Sequence, residues 1–463
     1  MRKKFVLAVI DGLTPALLER GIAAGRLPTL AFLRETGAYA RATTTFPSVT
    51  PVCLTSIATG AHPDVHHVPH LVWYHRGEER LVEYGSSFPA MRAVGARRSI
   101  QDSVFEMTRS HLAPGATTVF EALEDAGYVT AAINFTCYRG RTRHAIRLPA
   151  VMRRNRRFEA VNGPTRFFFF NLFESDATGA PLAIRSRPRG SIDTYAAVVG
   201  RWLVTRDGFD FLVFYLPDFD YASHAVGPKA ALDALEHADA CLGELLRAAG
   251  GNEEFLQRYA ILVCSDHGQT PVEHVAALGD RFAGAERDAV VVTASNRAGM
   301  IYRLPGCGLK SRQLAERLDD EAGADVVLFR ENGAAVARRE GLEVRFAPED
   351  GGWRRDGEEH LLMAEHYPNA LERGWRALAC PNAGDVLVSA AAGYEFADLG
   401  GGHHAGGGSH GSLLAGDSTV PVIAAGFDAN PLGVHADVTD IAPLVLAHFG
   451  VAAPDSMRAA AHA

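Results

Sequence analysis

The sequence predicts an α/β protein: a doubly wound, mostly parallel sheet carrying an inserted subdomain. Apolar runs of strand length recur along the chain, helical patterns separate them, and polar residues follow the runs rather than alternating within them. Phe5–Ile10 is the first run, continuous as a central parallel strand covered on both faces should be, and Asp11-Gly12 ends it. Leu17, Leu18, Ile22, Leu30 and Leu33 then recur at helical spacing, with Pro28 dividing the stretch into two helices. Phe209–Leu216 is a second run, followed by Asp218 and Asp220; Tyr259–Cys264 is a third, followed by Ser265-Asp266-His267. Val420–Ala425 is a fourth, and helical patterns fill Ala230–Ala249 and Val438–Phe449. Strands alternating with helices imply a parallel sheet, and such sheets bind ligands at the carboxyl ends of their strands.

Two stretches fall outside this rhythm. The chain reads as one core domain over residues 1–463, with insertions at about 62–190 and about 285–400. The second insertion, a cap subdomain, has its own strand–helix–strand pattern over Gly299–Leu304, Ser311–Ala322 and Val326–Glu331, and a glycine-rich loop, Gly400–Gly408, leads back to the core.

A chain of 463 residues, 47% hydrophobic and 22% charged, has ample material for a large core. The net charge of −8 argues against binding of a nucleic-acid polymer, which calls for a basic balance. Six cysteines without CxxC spacing read as reduced, buried thiols. No apolar run approaches the roughly 20 residues of a membrane span. The N-terminal MRKKFVLAVIDG is too short for a signal peptide, lacks a small-residue cleavage site and runs straight into Asp11, so a cytoplasmic location is expected.

The residues following these runs carry the chemistry. Asp220 and His224 are four apart, which on a helix places both on one face. Asp266 and His267 are adjacent at a strand end, His410 precedes the fourth run, and Asp11 follows the first. Three carboxylates and three imidazoles suffice for two catalytic ions of zinc type, each taking three protein ligands and keeping one position open. The window FPSVTPVCLTSIATG offers hydroxyl nucleophiles beside them, Thr50 among these.

The motifs VIDG, FPSVTPVCLTSIATGAHPDVH, DFDYASHAVGP, CSDHGQT and GSHGSL resemble those of the alkaline phosphatase superfamily, nearest to its nucleotide pyrophosphatase/phosphodiesterase branch. The resemblance implies one zinc held by Asp220, His224 and His410, and another by Asp11, Asp266 and His267, with Thr50 beside it. It also selects the nucleophile: the attacking residue stands nine before the threonine of a T-G pair, here Thr59-Gly60, which gives Thr50. Pro51 suits the first turn of the helix that Thr50 would open, where the alternative role of Thr50 is an N-cap. A sulfatase would need cysteine or serine at position 50, proline two later and arginine four later; Thr50, Val52 and Leu54 stand there instead.

The expected reaction is hydrolysis of a phosphodiester or pyrophosphate bond in a small substrate, on two divalent ions, zinc by preference with manganese or iron also suited to mixed Asp/His sites. A phosphomonoesterase or phosphomutase on the same metals is the alternative, and a non-catalytic metal-binding protein a more remote one. The chain departs from the family where an asparagine should bind the substrate: Pro63–Leu71 contains none. Asn134 is one substitute, and His66, His67 and His70 are others. Eight arginines between Arg139 and Arg157 read either as an anion-steering stretch or as a solvated loop, and Phe167–Phe170 either as an aromatic slot or as a buried strand.

Overall fold

Phe5–Ile10, all fully buried, form the middle of a nine-stranded sheet, as a run without polar alternation requires. The structure, a computed structural model, describes residues 2–145, 160–169, 173–176, 191–282, 288–433 and 436–457. In chain order the sheet comprises β1 (Lys4–Ile10), β2 (Ala38–Thr43), β3 (Thr130–Ile133), β4 (Arg166–Phe169), β5 (Phe173–Asp176), β6 (Phe211–Leu216) and β7 (Tyr259–Cys264), and, near the end of the chain, Thr419–Ala425 and Ala436–Asp437. A second, seven-stranded sheet lies between them in sequence: β8 (Val290–Ser295), β9 (Ala298–Arg303), β10 (Ala324–Glu331), β11 (Ala334–Arg339), β12 (Leu342–Glu349), β13 (Gly352–Gly357) and β14 (Val386–Ala390). The last two strands of the first sheet are then β15 (Thr419–Ala425) and β16 (Ala436–Asp437), and its order is β16-β2-β15-β7-β1-β6-β3-β4-β5.

β1 pairs in parallel with β6 and β7, and β3 continues that direction. β15 is reversed, running antiparallel to both β7 and β2. The sheet is therefore mostly parallel, as predicted. The reversal sends the amino end of β15, rather than its carboxyl end, to the edge where β1, β6 and β7 finish.

Helices cover both faces. On one, α1 (Pro15–Ala23), α2 (Pro28–Thr36) and two later helices pack against Val6, Ala8, Leu212 and Ile261. On the other, α3 (Thr50–Thr59), α4 (Val119–Asp125) and the last helix pack against Phe5, Leu7, Val9 and Val213. The later helices are α5 (Ile192–Thr205), α6 (Asp218–Val226), α7 (Leu232–Ala248) and α8 (Ile441–Phe449). The period of 2 within each strand thus splits into two cores.

The stretch between 62 and 190 contributes β3, β4 and β5 to the central sheet, a placement its weak patterning did not announce. Phe167, Phe168 and Phe169 are buried in β4, so this part of the phenylalanine run is strand core; Phe170 lies outside the described residues. The seven strands of the second sheet pair antiparallel throughout, with Arg312 and Arg338 bridging Glu331, Asp319 and Glu343 across its surface. All six cysteines are free thiols, and five are buried. No helix among the described residues is long and apolar enough to cross a membrane.

Candidate metal centre and active site

Asp11 follows β1, Asp220 lies in the first turn of α6 just after β6, and Asp266-His267 follow β7. These three neighbouring strands run the same way, so their ends deliver the side chains to one place. His410 arrives from the opposite direction in sequence, because it precedes the reversed β15. Gly12 makes the convergence possible: its φ is +73°, and a Cβ there would sit 3.0 Å from Asp220 Oδ1.

Two overlapping groups result, Asp11/Asp266/His267 and Asp220/His267/His410, each with its ligand atoms within 4.8 Å of one another and every member buried. The first is the trio the resemblance assigns. In the second, His267 stands where the resemblance puts His224. His224 is nonetheless adjacent: its Nε2 lies 3.2 Å from Asp220 Oδ2, while His410 Nε2 lies 3.8 Å from Asp220 Oδ1, so the one carboxylate faces two imidazoles with its two oxygens.

Each imidazole is oriented by a backbone carbonyl at Nδ1. His224 meets Gly408 O at 2.8 Å, His267 meets Gly268 O at 3.0 Å, and His410 meets Ser48 O at 2.8 Å. A carbonyl only accepts, so Nδ1 carries the proton in all three and Nε2 keeps the lone pair a metal needs. The carboxylates are held too. Tyr215 donates its hydroxyl to Asp11 Oδ2, and Gln269 donates Nε2 to Asp220 Oδ1 at 2.6 Å. Gln269 belongs to the CSDHGQT motif, which assigns it no role, and Tyr215 stands in a run of strand core with no signal to separate it from its neighbours.

The electrostatics call for cations. Burial, then repulsion from Asp266 and Asp220, holds the Asp11 carboxyl well above the ordinary carboxylate range. Burial also raises Asp266, against the pull of His267. Burial opposes ionisation of Asp220, but His224 and His410 outweigh it and the net shift is downward. Burial, followed by repulsion from His267, drives His410 well below its usual value and keeps it neutral. Asp11 Oδ1 and Asp266 Oδ2 are buried with no hydrogen-bond partner, although His267 Nε2 lies 3.3 and 3.5 Å away. Unpartnered buried carboxylate oxygens are costly unless they coordinate a metal, so this donor set fits divalent cations.

Thr50 opens α3, whose N-cap is Val49, and no side chain caps that helix. Its Oγ1 is 3.1 Å from His267 Nε2, at the positive end of the helix, where developing negative charge is favoured. Thr50, Asp11, Asp220, His224 and His410 line one pocket of about 230 Å³. Its other lining residues include Leu71, Tyr84, Ser86, Ser103, Thr136 and Asn296. No lysine or arginine stands among these lining residues.

Asn134 is fully buried at the end of β3 and does not line the pocket; Thr136, two residues on, does. His66 is committed to Ser56 Oγ and the amide of Val68, and His70 to the backbone of Val72, so both are packing residues. Arg139 and Arg141 pair with Glu121 and Asp125 rather than facing the pocket, while Arg147, Arg153, Arg154, Arg156 and Arg157 lie outside the described residues.

A sequence profile of the family Type I phosphodiesterase / nucleotide pyrophosphatase matches residues 5–413. The chain belongs to this family. It is a phosphodiester hydrolase, and the family is metal-dependent. No curated protein matches it significantly in sequence. Among solved structures it is similar in fold to phosphonoacetate hydrolase from Sinorhizobium meliloti 1021 in complex with phosphonoformate, with a TM-score of 0.60 at 19% identity over 96% of each chain. It is likewise similar to murine ectonucleotide pyrophosphatase/phosphodiesterase 5, with a TM-score of 0.62 at 14% identity over 97% of this chain and 96% of the other. An inactive form of that murine protein in complex with AMP aligns with a TM-score of 0.61 at 14% identity over the same shares.

Proposed function

We propose that this pocket hydrolyses small phosphodiesters or pyrophosphates through a covalent intermediate on Thr50, with two divalent ions, zinc by preference, held by Asp11, Asp266, His267, Asp220, His224 and His410. The observation that carries the reading is the position of Thr50 Oγ1 beside His267 Nε2, in a pocket that Thr50 lines together with Asp11, Asp220, His224 and His410. Bound there, the cations would supply charge: they lower the pKa of a neighbouring hydroxyl and neutralise the phosphoryl oxygens.

The chain's own residues do the rest. Thr50 Oγ1 gives its proton to solvent and attacks phosphorus; the bond from phosphorus to the leaving oxygen breaks, and that oxygen departs with the electron pair and takes a proton. A water then attacks phosphorus from the opposite side, the P–Oγ1 bond breaks, and Thr50 regains a proton. The amino end of α3 stabilises the charge on Oγ1, and the three backbone carbonyls keep the imidazoles from turning.

The far wall supports a diester over a monoester. A monoester carries one more negative charge, and no lysine or arginine among the lining residues meets it. The same lack disfavours a substrate bearing a carboxylate, such as the phosphonoacetate of the structural neighbour. The test is kcat/KM for bis(4-nitrophenyl) phosphate against 4-nitrophenyl phosphate on zinc-loaded protein. Diester preference is expected, and Thr50→Ala should abolish turnover while retaining zinc. Undiminished activity in that variant would sink the nucleophile assignment, and monoester preference would shift the reading to a phosphomonoesterase or phosphomutase.

A further inference from the structure

Asn296 sits in the tight turn between β8 and β9, the point at which the second sheet reaches the metal centre. It is 5% exposed and takes a left-handed φ of 56°, which asparagine tolerates better than most residues. The turn is held on every side. Asn296 O accepts from Phe396 N at 2.7 Å, Arg297 N donates to His410 O at 2.8 Å, and the Arg297 guanidinium is buried against Asp417 at 2.8 and 3.0 Å. The amide itself is fixed at one end, since Oδ1 accepts from Ser295 Oγ at 3.2 Å.

Its other end points at a metal ligand. Asn296 Nδ2 lies 2.9 Å from His410 Nε2. Because His410 Nδ1 faces the Ser48 carbonyl, which only accepts, and the Asn296 Nδ2 group only donates, Nε2 accepts and the amide donates. One lone pair cannot serve two partners. When Nε2 ligates an ion, the Asn296 N–H loses its acceptor at a buried position, and a buried donor left without a partner is costly. The pocket's occupant is what can repair the loss, and the occupant that brings oxygen lone pairs to this place is the phosphoryl group under attack by Thr50, which lines the same pocket.

We infer that Asn296 is the substrate-oxygen donor of this enzyme: its Nδ2 is released from His410 when metal binds and donates to a non-bridging phosphoryl oxygen. The inference rests on the function proposed above. It fills the gap left at Pro63–Leu71, where the pocket wall is the apolar Leu71, with a residue from the second sheet. It also couples metal and substrate binding, since the donor is free only after His410 is occupied.

The test measures binding as well as turnover. Orthovanadate, a phosphoryl-transfer mimic, is titrated calorimetrically into zinc-loaded wild type, Asn296→Gly and Asn296→Asp, with zinc content determined for each. Glycine accepts the left-handed backbone and removes the amide; aspartate keeps the shape and replaces a donor with an acceptor. Both variants are expected to retain zinc and to bind vanadate about 10- to 100-fold more weakly, the loss of one hydrogen bond to a charged group, with a matching fall in kcat/KM for bis(4-nitrophenyl) phosphate. Vanadate binding equal to wild type in Asn296→Gly would overturn the inference while leaving the proposed function intact. Loss of zinc from Asn296→Gly would overturn it too, reassigning Asn296 as a support for His410. Wild type that neither binds vanadate nor cleaves the diester would bring down the function and the inference together.

Discussion

The floor of the pocket and its far wall are built on opposite principles. At and beneath the floor stand three carboxylates and three imidazoles, five of them following strands of the central sheet, and most are pinned: Asp11 by Tyr215, Asp220 by Gln269, and each imidazole by a carbonyl. The wall, among the described residues, carries no lysine or arginine: Tyr84 and Ser86 follow a short hairpin, Ser103 lies in a π-helical segment (102–111), Thr136 in the loop after β3, and Asn296 in the second sheet. Charge on the floor serves cations, which take few residue types in few geometries. Such a wall serves the substrate, and hydroxyls and amides can arrive from almost any element. The metal centre is therefore the constrained half of the site and the wall the half free to vary.

Four measurements break or sharpen this contrast. The largest effect belongs to the floor: Asp266→Asn should lower kcat/KM by about 10⁴-fold or more, as loss of catalytic metal does, and zinc should not restore it. Survival of activity would mean that the Asp11 group does not hold a catalytic ion. Next, Tyr215→Phe leaves Asp11 Oδ2 without its donor, so zinc affinity should fall about 10- to 100-fold while the fold persists. An unchanged affinity would remove Tyr215 from the centre.

The floor should also be costly when metal is stripped away. The folded-state pKa of Asp11 is raised above its unfolded value by burial and by the neighbouring carboxylates, so stability is forfeited as pH rises past the unfolded value of about 4. Metal-free Asp11→Asn should accordingly be about 1–3 kcal/mol more stable than metal-free wild type at pH 7 by urea unfolding, and less stable once zinc is added. A destabilised metal-free variant would contradict this electrostatic account. Smallest is the wall: Ser103→Ala, a single partly exposed hydroxyl, should change kcat/KM by less than about 10-fold.

Acid should find its target elsewhere. His62, His70 and His111 are buried and neutral, each pushed down to about 4 by burial. In the unfolded chain they titrate near 6.5, so it binds more protons below that pH. Their stability contribution is whole above about 6.5 and is lost as pH falls toward 4, at up to about 1.4 kcal/mol per pH unit for each histidine. A urea midpoint constant from pH 7.5 to 5 would exclude this source of acid sensitivity.

The same contrast explains what the sequence disclosed. The strands β1, β6 and β7 were readable because a fully buried parallel strand admits only apolar residues, and their ligands because Asp and His stand where the apolar runs stop. The direction of β15 was not readable; nothing in Val420–Ala425 distinguishes a parallel from an antiparallel neighbour, which is a matter of how the preceding loop travels. The place of β3 and β4 in the central sheet was hidden by an apparent insertion, since strands of four residues are too short to reveal their partners. The sequence pointed to Asn134 and not to Asn296, which stands in a turn between two strands of the second sheet. Only packing separates them, one sealed below the sheet edge and the other open to the pocket.

The reversed β15 has a further consequence for how the molecule is made. Asp11, Asp220, His224, Asp266 and His267 all leave the ribosome before the second sheet is synthesised, whereas His410 and the strand that wedges between β2 and β7 come after it. A nascent chain extended only to Cys264 and its acidic neighbours therefore holds most of the cation-binding groups on an unfinished sheet, with β2 not yet joined to β7. On the ligand set proposed above, capture of metal would be completed late in biosynthesis, once translation passes Ala425.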